Sequence, residues 1–302
     1  LFKYVLENNE IFIDDDSILA GHMASRLHAV PIFPEYCAWL RDDLETLDTR
    51  KFDNFQFMPG EKDELRQMVA DWYGGTFGDL TNAQLTEDEW TLLDTGVMTK
   101  GVSQISTMNH APDYDEMVKK GYRYYIDQCK EKIASLGNMN IEKMGQKLTW
   151  EAMIITMEAI IAFAHRYADL AEKMAAECEN PERKEQLLTI AENCRVVPEN
   201  PPQTFQQAAQ LVWFTHLALM MENNGRDHSL GRFDQYMYPF YKNDLANGLT
   251  EEDIADVIHE FKLKFEEMWY LHNAFESEAY PGCALYIHLM LGGVLADGSD
   301  GC

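Results

Sequence analysis

The sequence predicts an α/β chain that is predominantly helical, with a single strand close to its end. Three observations predict it. Apolar residues recur at spacings of three and four along several segments bounded by capping residues, glycine or proline. The run Ala284 to Leu291 (ALYIHLML) is short, apolar and bounded by Gly282 and Gly292-Gly293, which reads as a buried strand. With 302 residues, 46% of them hydrophobic, the chain can fill a large core. A helical series that reaches only one strand implies partner strands elsewhere.

The elements follow in order. Leu1-Phe2-Lys3-Tyr4 reads as the middle of an element and Asp297 to Cys302 as a turn, so both ends are expected to be cuts. Gly21 to Pro34 (GHMASRLHAVPIFP) lacks a helical period and carries two prolines, which predicts an extended, partly buried loop leading to a short helix near Tyr36 to Leu47. In Lys62 to Trp72, Leu65, Met68, Val69 and Trp72 share one helical face, and Gly74-Gly75 ends it. A polar connector runs to about Asn109, and Pro112 then opens a helix from Asp113 to Ser135 with acidic residues in its first turn.

The longest pattern, Thr149 to Glu177, predicts a helix with a wide buried face through Trp150, Ile154, Met157, Ile161, Ala164 and Ala168. Pro181 starts a helix that ends near Cys194, and Pro198, Pro201 and Pro202 forbid regular structure. Thr204 with Gln207 forms a capping box ahead of the apolar run Ala208 to Met221. Gly225 to Gly231 reads as a loop. Arg232 to Asn247 reads as a helix kinked at Pro239, with Gly248 after its end, and Thr250 caps a helix from Glu251 to Met268.

Fifty-one Asp and Glu face 25 Lys and Arg, a formal charge of −26. Such a surface repels phosphate backbones and anionic lipid, which disfavours nucleic-acid and membrane partners. No apolar run is read as reaching the length of a membrane span, and no signal peptide opens the chain. The six cysteines are scattered without metal spacing or a disulfide framework, which fits a reducing cytoplasm. GxGxxG, Walker and serine-elbow motifs are absent, and no carboxylates with histidine suggest a metal site.

From Ala191 the text AENCRVVPENPPQTFQQAAQLVWFTHLALMMENN, followed by SLGRFDQYMYPFYKNDLANGLT, resembles the pyruvate formate-lyase domain of glycyl radical enzymes. The branch it resembles most holds the glycerol, propanediol and hydroxyproline dehydratases and choline lyase. GHMASRLHAVPIFPEY resembles an earlier block of that branch and LGGVLADGSDG a later one, so the similarity runs in order through nearly the whole chain. The resemblance implies that residues 1–302 are a partial domain, the N-terminal portion of a ten-stranded α/β barrel wrapped in helices. It implies an anaerobic radical lyase or dehydratase acting on a small polar molecule, usually as a homodimer. Its cofactor would be a glycyl radical installed by an activase that uses S-adenosylmethionine and an iron–sulfur cluster. The thiyl cysteine, its catalytic glutamate and the radical glycine are expected outside these residues; Cys302, just after the DGSDG turn, does not match the thiyl position. The 302 residues alone are therefore expected to bind no cofactor and to be inert. Arylacetate decarboxylation, C–C cleavage and addition to fumarate stay open within the family, and a non-catalytic helical binding module outside it.

The resemblance also nominates site residues. His110, in STMNHAPDYDEM, aligns with a histidine that binds substrate near the leaving group, where an imidazole can donate a proton. By itself it reads as a helix-start histidine satisfied by backbone. Asn109 stands where several relatives have glycine, which alters the pocket wall. Arg226 and Asp227 occupy positions that contact substrate in relatives. Arg226 could grip an anionic group with its planar fork, or the two could pair with each other. Tyr286 aligns with an aromatic that packs over substrate, and His288 shares its face by the period of two; an ordinary inward-facing core pair is the alternative. Arg232 and Asp234 in GRFDQ read as scaffold.

Overall fold

The computed structural model describes residues 1–98, 110–224, 228–282, 287–295 and 297–301. Its described elements begin with α1 (Phe2–Asn8), a 3-10 turn (Pro34–Tyr36), α2 (Leu40–Asp43), α3 (Glu61–Asp71), α4 (Phe77–Asn82) and α5 (Glu87–Asp94). The long helices follow: α6 (Tyr114–Ala134), α7 (Ile141–Glu177), α8 (Pro181–Val196) and α9 (Phe205–Asn223). Then come β1 (Ser229–Arg232), α10 (Phe233–Ala246), α11 (Glu251–Glu266), α12 (Ala274–Ala279) and β2 (His288–Met290).

Helix starts are set by side chains that satisfy otherwise unpaired first-turn N–H groups. Asn180 accepts from the N–H groups of Glu182 and Arg183, with Pro181 in the first turn. Thr204 accepts from Gln207, but the Gln207 side chain takes the N–H of Gln203 instead of closing a reciprocal box. Reciprocal boxes do form at Thr76/Asp79, Thr86/Glu89 and Thr250/Asp253. The first two build α4 and α5 inside the expected polar connector.

Helix α9 is the core. From Gln207 to Met221 every residue except Leu219 is buried, and Trp213 is among the largest fully buried side chains. Helices α6, α7 and α8 pack against it, as do α10 and α11. An apolar helix buried all round cannot also present charge to solvent, so its neighbours carry the polar faces.

The segment ahead of the first long helices is extended and partly buried, as expected, with Gly21, His22 and Met23 buried, and α9 supplies hydrogen bonds it lacks. The Gln210 side chain accepts from the Ala20 N–H at 2.8 Å and donates to the Ala20 carbonyl at 2.7 Å. The Trp213 indole N–H donates to the Gly21 carbonyl at 2.9 Å. Gly21 has φ +116, and a Cβ there would lie 2.9 Å from that indole nitrogen.

Several expectations need correction. The helix placed near Tyr36 to Leu47 is only a 3-10 turn and the single turn α2. Helix α7 starts at Ile141, capped by Asn140, well before Thr149, and its buried residues begin only at Ala159. It is also long and apolar enough, by length and composition, to cross a membrane, contrary to the reading that no run was. Charged residues interrupt the run locally and hide its length. The helix packs along α8, α6 and α1, and its buried residues lie between Ala159 and Ala175. Helix α6 is broken at Gly121, whose φ of 67 and ψ of 170 are not helical. There the N–H groups of Tyr122 and Arg123 turn to the carbonyls of Pro198 and Glu199.

The stretch taken as a loop, Gly225 to Gly231, contains most of β1, which pairs in parallel with β2 in the register Ser229 with His288, Gly231 with Leu289 and Arg232 with Met290. The strand predicted over Ala284 to Leu291 exists as β2, but His288, Leu289 and Met290 are exposed, not buried. Only β1 flanks it among the described residues, so one edge and much of both faces stay open. Arg232 and Asp234 are scaffold: Arg232 donates to the Val294 carbonyl, and Asp234 accepts from the Gly292 N–H. Gln235 adds a bond to the Gly292 carbonyl, so the start of α10 holds the chain leaving β2.

Candidate functional site

Of the nominated residues, His110 and His288 are described; Asn109, Arg226, Asp227 and Tyr286 lie outside the described residues. The register of the small sheet brings the two histidines to one end of it. The Ser229 N–H donates to the His110 carbonyl at 2.9 Å, and Ser229 is the Cα partner of His288. Directly before Ser229 stands His228, which sequence reasoning missed. Its ring lies 5.2 Å from that of His110, tilted at 48°. Its place next to the SLGRFDQ block, which carried the resemblance, was the available signal.

His110 is exposed, whereas His228 is fully buried. Among the described residues, neither ring nitrogen of His228 has a hydrogen-bond partner. Burial, with a smaller contribution from His110, pulls its pKa down to about 4, so the ring is neutral near pH 7. Behind it stands His216 of α9, its ring 5.7 Å from that of His228 and nearly perpendicular. His216 is also fully buried, and burial lowers its pKa to about 3. Its Nδ1 lies 3.2 Å from the Tyr114 hydroxyl at the start of α6. The row therefore runs from surface to core: His110, His228, His216, Tyr114. A neutral imidazole with unpaired nitrogens can donate to or accept from a hydroxyl brought beside it.

A second buried polar cluster is structural. Lys264 is 4% exposed and bonds Ser17 Oγ at 3.0 Å and Glu267 at 3.0 Å, with Glu260 at 3.7 Å. Burial raises the Glu267 pKa, against the lowering effect of Lys264. The Glu267 carbonyl in turn accepts from the His28 N–H and lies 3.3 Å from His22 Nε2. This ties the extended N-terminal segment to the end of α11.

Among the described residues, no group of three His, Cys, Asp or Glu side chains is arranged to hold a metal ion. Cys37, Cys129, Cys178 and Cys194 are free thiols. An apolar cleft of about 840 Å³ opens between α10, α11 and the sheet, lined by Leu230, Phe233, Met237, Phe261, Phe265 and Ile287. None of the four residues of the row lines it, and its charged lining residues are Asp234, Lys262 and Glu266.

Comparison with known proteins gives a consistent result. The family model described as pyruvate formate lyase-like matches residues 1–302. A probable dehydratase, YbiW, of Escherichia coli K12 is 32% identical over 97% of this chain and 37% of its own length. The glycerol-bound B12-independent glycerol dehydratase from Clostridium butyricum superposes with a TM-score of 0.93 at 29% identity, over 99% of this chain and 38% of its own. A glycyl radical enzyme from Archaeoglobus fulgidus gives a TM-score of 0.90 at 30% identity, over 99% of this chain and 39% of its own. The chain spans under two fifths of the length of these relatives.

Proposed function

Because this chain belongs to the pyruvate formate lyase-like family, among whose members it is similar to glycyl radical dehydratases, we propose that it is part of a radical dehydratase or C–X lyase acting on a small hydroxylated substrate. The observation that carries the reading is the pairing of exposed His110 with buried, neutral His228 at the end of the β1–β2 sheet. In this reading β1 and β2 are two strands of the family's ten-stranded barrel, and their open edges receive the remainder. The non-catalytic helical module loses its footing with the family assignment.

A glycyl radical, installed by an S-adenosylmethionine-dependent iron–sulfur activase, would supply the hydrogen-atom transfer through a cysteine that the family carries elsewhere. This chain's own groups act on the leaving hydroxyl. That hydroxyl must gain one proton to depart as water, and a hydrogen bond from an imidazole N–H lowers the barrier to that step. His228, shut off from solvent, orients the hydroxyl; His110, open to solvent, can collect the proton and pass it on. Burial, with His110 nearby, keeps the His228 ring neutral, so it meets the hydroxyl as a donor and not as a charge. Arg226 and Asp227, three and two positions before Ser229, and Tyr286 and Asn109 would line the same hollow and tune which substrate enters. His288, at the register position of Ser229, would stand at its edge. The enzyme would work in an anaerobic cytoplasm as a homodimer.

The test uses the intact protein, activated without oxygen by a radical S-adenosylmethionine activase. A glycyl radical signal by EPR should accompany conversion of a 1,2-diol or related vicinal hydroxy compound to a carbonyl product and water. A protein that carries the radical yet releases no such product from any hydroxylated or amino-hydroxylated compound would refute the reading.

A further inference from the structure

At the buried end of the histidine row, Tyr114 is 2% exposed, and its hydroxyl is 3.2 Å from Nδ1 of His216. Among the described residues that hydroxyl has no other hydrogen-bond partner. A buried phenol must place its hydrogen on an acceptor, so it donates and Nδ1 accepts. The proton of the neutral His216 ring is then on Nε2. That nitrogen is buried and, among the described residues, without a partner. The rings around His216 are Trp213, Phe265 and His228, at 6.3, 5.2 and 5.7 Å. Trp213 and Phe265 present no lone pair, and the Trp213 N–H is spent on the Gly21 carbonyl. Of these three rings, His228 is the one with a nitrogen that can respond to the His216 N–H dipole.

We propose that His216 and Tyr114 form a positioning pair that fixes the tautomer of His228, turning its lone pair toward the core and its N–H toward His110 and the substrate hydroxyl; this rests on the role proposed above for His228. The electrostatics of a buried site favour the arrangement, because a dipole there is little screened. The opposite tautomer would set two N–H edges toward each other and leave the leaving hydroxyl facing a lone pair. His216 does not touch substrate. It selects which face of His228 is a donor, as outer partners do for imidazoles bound to metals.

The test combines nitrogen NMR of the ¹⁵N-histidine-labelled protein with kinetics of the activated, intact enzyme. Wild-type His228 should show one tautomer. His216→Phe and Tyr114→Phe should each give mixed tautomers at His228 and lower kcat by roughly tenfold with KM little changed, part of the gain that acid–base groups provide. His216→Gln, which returns an N–H donor, should restore a single tautomer and most of kcat. Tyr114→Phe removes one oxygen only, which keeps the test open should the His216→Phe protein fail to fold. An unchanged His228 tautomer in the folded variants overturns the proposal, whatever happens to kcat. Absence of dehydratase activity in the wild type would count against the proposed reaction alone, since the tautomer is read without turnover.

Discussion

The Ser229 N–H donates to the His110 carbonyl at 2.9 Å, so the first residue of β1 and the approach to α6 form one hydrogen-bonded unit. This bond places the exposed ring of His110 beside the buried ring of His228 without help from either side chain. Removing one ring should therefore leave the backbone that holds the other.

His228→Ala and His110→Ala are expected to fold and to acquire the glycyl radical in the intact enzyme, but to lose turnover by about 10²- to 10⁴-fold. Steady-state assays alongside EPR spin counts check this. Turnover within a few-fold of wild type in both variants would remove the pair from the chemistry.

Acid should destabilise the fold through three buried imidazoles. His22, His216 and His228 are pulled down to about 4, about 3 and about 4, burial being the largest cause for each. In the unfolded chain they titrate near 6.5, so between pH 6.5 and about 3 the unfolded state binds more protons than the folded one. Stability is then fully present above about pH 6.5 and is lost as pH falls through that window, by several kcal/mol in total, since each tenfold difference in proton affinity between the two states is worth on the order of 1.4 kcal/mol. The raised carboxyl of Glu267 works in the opposite sense and offsets a part. Urea midpoints at about pH 7 and about pH 4.5 measure the difference; equal midpoints would contradict the assigned neutrality.

Gly121→Ala should cost about 3 kcal/mol or more. A Cβ there would lie 2.5 Å from the Asn200 carbonyl carbon and 2.7 Å from the Glu199 oxygen, at a φ of +67. Gly248→Ala, at φ +99 with open space around it, should cost only about 1–2 kcal/mol. Denaturant curves for the two variants separate backbone strain from collision, and equal losses would deny the close approach.

Gln210→Ala should destabilise by about 2–5 kcal/mol, because it strands both the N–H and the carbonyl of Ala20 in the core. Hydrogen exchange at the Ala20 amide should rise far more than exchange at residues of α8. A loss below about 0.5 kcal/mol would show that the extended segment does not depend on this side chain.

The helical part of the fold was legible because its signals are local. Thr204, Asn180 and Thr250 cap helices whose apolar spacing already announced them, and Thr76-x-x-Asp79 and Thr86-x-x-Glu89 carried the same signature for α4 and α5. The strand β1 was not legible: four residues with a glycine at φ +64 make no alternation, and their partner comes from the far side of α10 and α11. The exposure of β2 was equally hidden, since an apolar run does not state how many neighbours it has. His110 was reached through the resemblance, and His228 was overlooked because charge drew attention to Arg226 and Asp227. Two neutral rings meeting beside α9 are visible only in three dimensions.

The bond between Ala20 and Gln210 joins positions 190 residues apart. On a ribosome adding about 5–20 residues per second, the early segment would wait roughly 10–40 s before its receptor helix exists. Tyr167 and Arg183 can meet His22 and Ser17 earlier, but the Ala20 N–H and carbonyl gain their partner only when Gln210 arrives.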